Sequence, residues 1–271
     1  VRHLHRAFDA LARGDLDARV RPLIGAQRDE IADLGLGFDR MAGRIQHLLD
    51  AQRRLLHDVS HELRSPLARM SAAIGLARQD PARSEAMLDR VEHEAARLDT
   101  LIGELLGLSR LEDEARRAPS EPVDLAALLR DIVDDARFEA QARGVEVAAD
   151  AGCAGPLWVD AHAALLHRAF DNILRNAVKY SPAGARVQVG LDVDDDRARV
   201  VVSDQGCGVA ADELECIFDP FVRGGRGQAE PGSGLGLSIA RRAIEAHGGA
   251  ICATSPTTGG LRVTIRLPLP A

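Results

Sequence analysis

The sequence predicts a multidomain fold in which an all-α first part is followed by an α/β sandwich. From residue 51 to about residue 112, apolar residues recur three and four positions apart, which is the spacing of one helix face. Beyond about residue 122, short β-rich runs alternate with helical stretches. Aromatic residues make up only 3% of a chain that is 46% hydrophobic, so aliphatic side chains must build the cores. We expect three domains, at residues 1–50, 51–115 and 122–271.

The first 50 residues are expected to form two short amphipathic helices. Their apolar positions are Leu4, Phe8 and Leu11, then Ile31, Leu34, Phe38, Met41, Ile45 and Leu48. Gly14 and the stretch 22–25 break the pattern between them. The start of the second helix, Asp29-Glu30-Ile31, resembles a HAMP signal-relay module, with Ala32 where that family has glycine. The alternative is an ordinary helical hairpin.

Residues 51–115 are predicted to form a long helical hairpin. The first helix should end near Gln79 because Pro81 stops it, and the second should run from about Ser84 to Leu111. Two helices cannot bury such continuous apolar stripes alone, so we expect a second copy to complete a four-helix bundle, which makes the protein a homodimer. Packing of the hairpin on its own C-terminal domain is the alternative.

The charged segment 112–122, which contains two prolines, is predicted to be a linker. The sandwich should begin with a helix from about Asp124 to Arg143. Further helices are expected near residues 162–180 and 235–247, and strands at residues 145–149, 157–159, 186–192, 199–203, 250–254 and 261–267.

His61 is the first candidate for chemistry. An apolar stripe follows its helix through Leu55, Val59, Leu63, Met70, Ile74 and Ala77. His61 lies about 200° round the helix from this stripe and should point into water. Glu62 is adjacent, Ser65 lies one turn on along the same face, and Pro66 should bend the helix. An exposed imidazole beside a carboxylate is a candidate nucleophile. The alternative is a solvated surface histidine.

Four further motifs follow in order more than a hundred residues downstream: Asp171-Asn172-Ile173-Leu174-Arg175-Asn176-Ala177-Val178-Lys179-Tyr180, Asp204-Gln205-Gly206-Cys207-Gly208, Ile217-Phe218-Asp219-Pro220-Phe221 and Gly232-Ser233-Gly234-Leu235-Gly236-Leu237. Together with the stretch around His61, this set resembles the H, N, G1, F and G2 boxes of the sensor histidine kinases of two-component signalling. The helix of His61 and the segment 92–110 are most similar to the envelope-stress sensors. The resemblance implies the Bergerat (GHKL) ATP-binding fold shared with gyrase, Hsp90 and MutL.

Asn172 and Asn176 lie one helical turn apart and share a face. Amide oxygens suit Mg²⁺, which prefers oxygen ligands. The resemblance implies that Asn176 binds Mg²⁺ and that Asn172 supports the phosphates of ATP. Lys179 could meet phosphate charge and Tyr180 could lie along the base or ribose. Polarity of a helix surface is the alternative for both asparagines.

Asp204 should end a strand and face the same pocket. A carboxylate there can accept a hydrogen bond from an exocyclic amine, and the resemblance gives this residue the adenine amino group. Gly206 and Gly208 would let the backbone approach the base closely.

The glycine-rich stretch 224–234 is predicted to be a mobile lid over the phosphates, anchored by Phe218 and Phe221. Backbone N–H groups at a helix start bind anions, and the residues expected to present them are Gly232, Gly234, Leu235, Gly236 and Leu237. Arg223 could contact phosphate or the histidine-bearing helix. The run 247–249 is expected to be a turn that ends a helix.

The resemblance also distinguishes a kinase from a hydrolase. Hydrolases of this fold place a glutamate four residues before the metal-binding asparagine, where this chain has Asn172, and an amide takes no proton from water. We therefore expect autophosphorylation of His61 by Mg·ATP, with Glu62 orienting the ring or accepting its proton. The phosphoryl group would then pass to an aspartate of a response-regulator receiver domain. Ser65 stands where relatives use threonine to position water for regulator dephosphorylation.

Two other functions remain open: an ATPase-driven clamp of the GHKL type, and a non-catalytic dimeric scaffold that binds ATP. The net charge of −7 disfavours direct nucleic-acid binding. The four cysteines show no metal-ligand spacing, and a reducing compartment is expected. No apolar run is long enough to span a bilayer, and the chain begins with Val1. We expect the cytoplasmic portion of a bacterial inner-membrane protein whose membrane segments lie outside this sequence.

Overall fold

The computed structural model describes residues 2–13, 15, 17, 19–20, 30–117, 120–150, 155–222, 233–257 and 259–270. The chain divides into two compact units, residues 1–65 and 66–271. None of the helices in these described ranges carries an apolar stretch long enough to cross a lipid bilayer.

The first unit contains helix α1 (Arg2–Ala12) and most of helix α2 (Glu30–Gln79). A small core forms where Ala7, Val20, Phe38 and Ala42 are buried. The segment after α1 is tied to α2 by polar contacts, because the Val20 N–H donates to Asp39 Oδ1 at 2.7 Å. Both predicted amphipathic segments are helical.

The second of these segments does not end near residue 50, however. It continues as one 50-residue helix through the histidine stretch and through Pro66 to Gln79. The sequence between residues 44 and 65 contains neither glycine nor proline, so nothing there terminates a helix. The bend expected at Pro66 stays a prediction.

The second unit opens with a hairpin. Helix α2 ends at Gln79, as predicted, a 3₁₀ turn covers Pro81–Arg83, and helix α3 runs over Ser84–Arg117. A bidentate ion pair joins the two helices, since Arg69 Nε and Nη2 donate to the Glu94 carboxylate at 2.6 and 2.8 Å.

The predicted linker is wrong in most of its length. Residues 112–117 extend α3, because glutamate, alanine and arginine are strong helix formers. Strand β1 then covers Glu121–Asp124, including Pro122. Pro122 is tolerated because β1 belongs to a sheet of only two strands, where one side of each strand makes no ladder bonds.

The rest of the unit is the predicted α/β sandwich. Its helices are α4 (Leu125–Gln141), α5 (Ala163–Tyr180) and α6 (Gly236–Ala246). Its strands are β2 (Glu146–Asp150), β3 (Trp158–Ala161), β4 (Arg186–Asp194), β5 (Arg197–Ser203), β6 (Ala250–Thr254) and β7 (Arg262–Pro268).

Strands β1 and β3 pair antiparallel, and the main sheet has the order β2-β4-β5-β7-β6. Only the β2–β4 pair in that sheet is parallel. Alternate residues of β4, β5 and β7 are buried, and the fully buried side chains of the helices include Phe170, Ile173 and Ile239. The core therefore lies between the sheet and the layer of helices.

Candidate functional site

His61 lies on the exposed face of α2. Val59 and Leu63, which precede and follow it by two residues, are partly buried, while His61 and Ser65 are exposed. Glu62 is partly buried. The nearest ring to His61 is His57, one turn earlier, with ring centres 4.4 Å apart. The structure therefore presents the imidazole as the sequence pattern predicts.

The two asparagines of the second motif lie on α5, which packs against α6. Asn172 faces the start of α6: a β-carbon at Gly236 would lie 3.6 Å from Asn172 Oδ1. The Asn172 Nδ2 group is buried and has no hydrogen-bond partner among the described residues. A buried donor without a partner is costly in a native fold, so this atom marks a place where a ligand belongs. Asn176, one turn on, is partly buried.

The end of α5 adjoins the turn of the Asp204 motif. The Lys179 ammonium lies 4.8 Å from the centre of the Tyr180 ring and 3.4 Å from the Tyr180 hydroxyl. The Tyr180 main-chain carbonyl faces Gly206, where a β-carbon would lie 2.5 Å from its oxygen. The structure therefore brings Lys179 and Tyr180 next to the Asp204 loop, from a helix more than twenty residues upstream.

Asp204 follows β5 and is held by two main-chain donors. Its Oδ1 accepts from Gly206 N–H at 2.8 Å and from Leu261 N–H at 3.0 Å. Both hydrogen bonds fall on one oxygen, so Oδ2 is the oxygen that can accept from a ligand. Burial raises the pKa of the Asp204 carboxyl, and these two hydrogen bonds act in the opposite direction. The carboxylate is thus fixed in orientation and weakly hydrated.

A second glycine turn, which the sequence reasoning missed, supports Asp204. Gly259 and Gly260 precede β7 with φ of 93° and 82°, and a side chain at Gly260 would collide with the Asp204 carbonyl. Gly208, with φ of 67°, faces the Gly260 carbonyl, where a β-carbon at residue 208 would lie 3.0 Å from the oxygen. The two adjacent glycines before the last strand were the only sequence signal for this turn. The residue that they support, Asp204, lies more than fifty residues earlier in the chain.

Residues 224–232 of the predicted lid lie outside the described residues, and so does Arg223. The two borders of this segment are described and joined. Phe221, with φ of 62°, donates its N–H to the Gly234 carbonyl at 3.0 Å, and Gly234 itself has φ of 75°. Phe218 is buried, as expected of an anchor. A positive φ at a phenylalanine is uncommon and shows that surrounding contacts fix this border.

Helix α6 begins immediately after this border. Leu235 is the N-cap residue of α6 and is buried. Its N–H donates to Ser233 Oγ at 3.1 Å. Gly236 and Leu237 form the first helical residues and are partly buried. At the other end of α6, His247 caps the helix and Gly248 has φ of 68°, so the predicted helix-ending turn is confirmed.

Three family models match the chain in order. The HAMP domain model matches residues 1–47, the His Kinase A (phospho-acceptor) domain model matches residues 51–114, and the model of the Histidine kinase-, DNA gyrase B-, and HSP90-like ATPase matches residues 161–271. The last of these supports ATP as the nucleotide bound by this part of the chain.

Known proteins show the same likeness. Sensor histidine kinase CpxA of Escherichia coli K12 is 37% identical over 271 residues, which are 99% of this chain and 58% of CpxA. The chain thus spans somewhat more than half of the curated relatives that it matches first. The solved structure of mycobacterial sensor histidine kinase MprB is 34% identical, covering 55% of this chain and 98% of that one, with a TM-score of 0.50.

The structure of histidine kinase ThkA in complex with response regulator protein TrrA covers 83% of this chain and 64% of its own, at 21% identity and a TM-score of 0.67, and shows the shared fold alone. The prediction of helical HAMP and hairpin domains followed by a GHKL-type ATP-binding domain is therefore confirmed. The chain belongs to the sensor histidine kinases of two-component signalling.

Proposed function

We propose that this chain transfers the γ-phosphoryl group of ATP to His61 and then to an aspartate of a response-regulator receiver domain. The observation that carries the proposal is Asn172, which is partly buried against the start of α6 and has a buried amide nitrogen without a partner among the described residues. The position where hydrolases of this fold keep a glutamate base thus holds a group that cannot activate water. A nucleotide bound here needs another nucleophile, and His61 is exposed and available.

Three groups of residues support ATP binding at this site. Asp204 Oδ2 would accept from the adenine amine, and Gly206 and Gly208, which pack against the Tyr180 and Gly260 carbonyls, would shape the turn beside the base. Tyr180 would lie along the base or ribose. The N-terminus of α6 at Gly234 to Leu237 would hold phosphate oxygens, because its backbone N–H groups and helix dipole favour anions. We further propose that Lys179 and Arg223 meet phosphate charge, with Gly232 in the lid.

The residues on α5 also fit a magnesium ion. Asn176 would offer its side-chain oxygen, and the partnerless Nδ2 of Asn172 would donate to a phosphate oxygen or to a water of the ion's shell. A magnesium ion held there would neutralise charge on the phosphates of the nucleotide. The chain's own contribution is to place these two amides one turn apart on a rigid helix.

The transfer itself requires a neutral imidazole. One ring nitrogen of His61 attacks the γ-phosphorus in line, the bond from phosphorus to the bridging oxygen breaks, and ADP leaves with the electron pair. The other ring nitrogen then loses its proton, and we propose that the neighbouring Glu62 accepts it or orients the ring. Positioning and charge neutralisation supply most of the acceleration in such reactions.

The hairpin surface supports a dimer. Large apolar side chains remain exposed along it, among them Leu67, Ile74, Leu76, Leu88, Ile102 and Leu106. We propose that a second copy covers this face to form a four-helix bundle.

We also propose domain limits of 1–50, 51–115 and 122–271. We further propose that the full-length protein is anchored in the membrane through segments outside this sequence.

The test is transfer of label from γ-³²P-ATP to wild type, His61→Gln and Asn176→Ala. The expected result is acid-labile, base-stable label on the wild type, and none on His61→Gln even though it still binds nucleotide. Asn176→Ala should label at least about a hundredfold more slowly, since it loses phosphate positioning. Wild-type release of inorganic phosphate without labelling would instead favour an ATPase clamp, and nucleotide binding with neither activity would favour a scaffold.

Regulator dephosphorylation is the second activity that a specific observation favours. Ser65 is exposed one turn after His61 on the same face of α2. Ser65→Ala should lower the rate of dephosphorylation of a phosphorylated receiver domain while autophosphorylation persists. Ser65→Thr, which restores a more fixed rotamer, should keep or raise that rate. Equal rates in all three proteins would remove Ser65 from the activity.

A further inference from the structure

His57 is an exposed histidine that the proposed reaction does not use. It lies one helical turn before His61 on the same face of α2. The two ring centres are 4.4 Å apart and the ring planes meet at 64°. Because α2 is uninterrupted across both residues, the backbone holds this pair in register before anything binds.

We propose that His57 and His61 together form a binding site for a divalent transition-metal ion of the Zn²⁺ type, and that occupation of this site silences the phosphoacceptor. Two histidines at positions i and i+4 of a helix present one nitrogen each to a common point, which is the geometry of helical zinc ligands. Zn–N bonds of about 2.0–2.1 Å at a tetrahedral angle need nitrogens about 3.3 Å apart. Rings at the observed spacing reach that separation by side-chain rotation alone.

The charges around the pair are compatible with a cation. Asp58 and Glu62 each follow one of the histidines, and together they form a second i, i+4 pair about 100° round the helix. The nearest cations along the histidine face lie one turn beyond the pair: Arg53 and Arg54 before it and Arg64 after it. Arg53 is already paired with Asp50 at 3.7 Å.

No cluster of three histidine, cysteine or acidic side chains suited to a metal occurs in the part of the chain that the structure describes. Water must therefore complete the coordination shell, so the affinity will be lower than that of a closed four-ligand site. Such a site empties when the free metal concentration falls, which makes the proposed inhibition reversible.

The consequence for phosphorylation follows from the lone pair. A nitrogen of His61 that donates its electron pair to a metal ion cannot attack phosphorus, and the bound ion adds bulk on the face that nucleotide must approach. This part of the inference rests on the proposed function, whereas metal binding does not.

A second histidine pair provides the control. His162 Nδ1 and His247 Nε2 lie 3.3 Å apart, but His247 Nε2 already accepts from the His162 N–H at 3.0 Å, and its Nδ1 lies 2.6 Å from the Ala243 carbonyl. Both nitrogens of His247 are thus engaged within the fold. We expect the metal to prefer the exposed pair on α2.

The binding experiment titrates the whole chain with ZnCl₂ in the absence of nucleotide, by calorimetry. Zn²⁺ should protect His61 of the wild type from carbethoxylation by diethyl pyrocarbonate, located by mass spectrometry. His57→Gln should bind at least about tenfold more weakly at this site and lose the protection, since half of the protein ligands are gone. His247→Gln should retain both. Equal protection of His61 in wild type and His57→Gln would overturn the proposal.

The activity experiment measures autophosphorylation at a fixed free Zn²⁺ concentration, each protein normalised to its own metal-free rate. Chelation of ATP and any exchange with Mg²⁺ affect all variants alike. The wild type and His247→Gln should be inhibited, and His57→Gln should be inhibited at least about tenfold less sensitively. Identical inhibition of all three would overturn the inhibitory role. A wild type that is never labelled, yet still shows metal protection of His61, would count against the kinase proposal while leaving the metal site intact.

Discussion

The main-chain carbonyl of Tyr180 faces Gly206 across a gap that admits no side chain, because a β-carbon at residue 206 would lie 2.5 Å from the Tyr180 oxygen. The Asp204 Oδ1 would lie 3.0 Å from the same carbon. The Tyr180 oxygen belongs to the main chain and Asp204 Oδ1 is held by two hydrogen bonds, so neither atom can move aside easily. This contact joins the end of α5 to the Asp204 loop and so sets the width of the proposed adenine pocket.

Gly206→Ala should therefore lower the stability of the ATP-binding domain and its affinity for ATP together. Overpacking of this kind costs about 1–3 kcal/mol. Gly236→Ala is the matched control, since its β-carbon would meet Asn172 Oδ1 at an ordinary 3.6 Å and alanine favours the helix. That variant should keep its melting temperature and lose only nucleotide affinity, because the methyl group enters the proposed phosphate space. Thermal melts and nucleotide titration measure both; a Gly206→Ala protein as stable as wild type would contradict the contact.

Asp204→Asn should weaken ATP binding without unfolding the domain. The amide oxygen can still accept from the Gly206 and Leu261 N–H groups, but the amide nitrogen would then face the adenine amine, donor against donor. We expect affinity to fall by about tenfold to a hundredfold, the effect of losing one charged acceptor. Calorimetry with ATP and GTP measures the change. The wild type should prefer ATP, and an unchanged preference in Asp204→Asn would remove this carboxylate from base recognition.

The pH dependence of that affinity has a definite sign. Burial raises the pKa of Asp204, so its carboxyl takes up a proton at a higher pH than an exposed aspartate does. ATP affinity should accordingly fall as the solution is acidified through this raised value. Asp204→Asn should show no such dependence from this residue.

Sequence periodicity predicted the elements whose signal is local. The strand at residues 250–254 was placed at its observed ends, and the helix of Asn172 within one residue, because apolar spacing alone determines them. The linker prediction for residues 112–122 is wrong because helix propensity, which continues α3 through Arg117, outweighs the effect of charge and two prolines. Strand β1 was missed since four residues with one buried side chain give no recognisable alternation.

The site shows the same division. Resemblance and spacing predict His61, Asn172 and Asp204 as site residues, because each lies in a contiguous motif. The partners of these residues come from distant segments: Leu261 supports Asp204, and Gly236 packs on Asn172. No local pattern specifies such pairings, because they are created by the order of strands in the sheet. The buried, partnerless nitrogen of Asn172 likewise becomes visible only once the fold is known.

The ion pair between Arg69 and Glu94 should hold the two hairpin helices in register. The Glu94 side chain is only 8% exposed, and it receives two hydrogen bonds from Arg69. Glu94→Gln should lower the free energy of unfolding by about 1–3 kcal/mol, because Arg69 loses its charged, hydrogen-bonded partner. The exposed Glu92→Gln on the same helix is the control and should change little. Chemical denaturation of the dimer at fixed protein concentration measures both.

Arg69 also holds the pKa of Glu94 below its usual range, chiefly through the hydrogen-bonded fork. A lowered carboxyl pKa means that the unfolded chain binds the proton first. The stabilisation is therefore complete above the usual value of 4.5 and disappears as the pH falls through the lower folded-state value. Glu94→Gln should lack this acid-sensitive part, and a wild type and variant with parallel stability curves below pH 4.5 would show that the pair contributes nothing.

His247 should make the ATP-binding domain sensitive to mild acid. Its Nε2 accepts from the His162 N–H at the start of α5, while its Nδ1 lies 2.6 Å from Ala243 O within α6, so the neutral ring fastens the two helices. Burial lowers the pKa of His247 from its usual 6.5. The unfolded chain then takes up this proton at higher pH than the folded one, so stability falls as the pH drops below about 6.5. His247→Gln, whose amide can still accept from His162, should flatten the slope of stability against pH between 7 and 5. The exposed His167→Gln, on α5, should leave that slope unchanged. Calorimetric melts of the three proteins across this range decide the matter, and a wild-type slope that survives in His247→Gln would assign the acid sensitivity to another group.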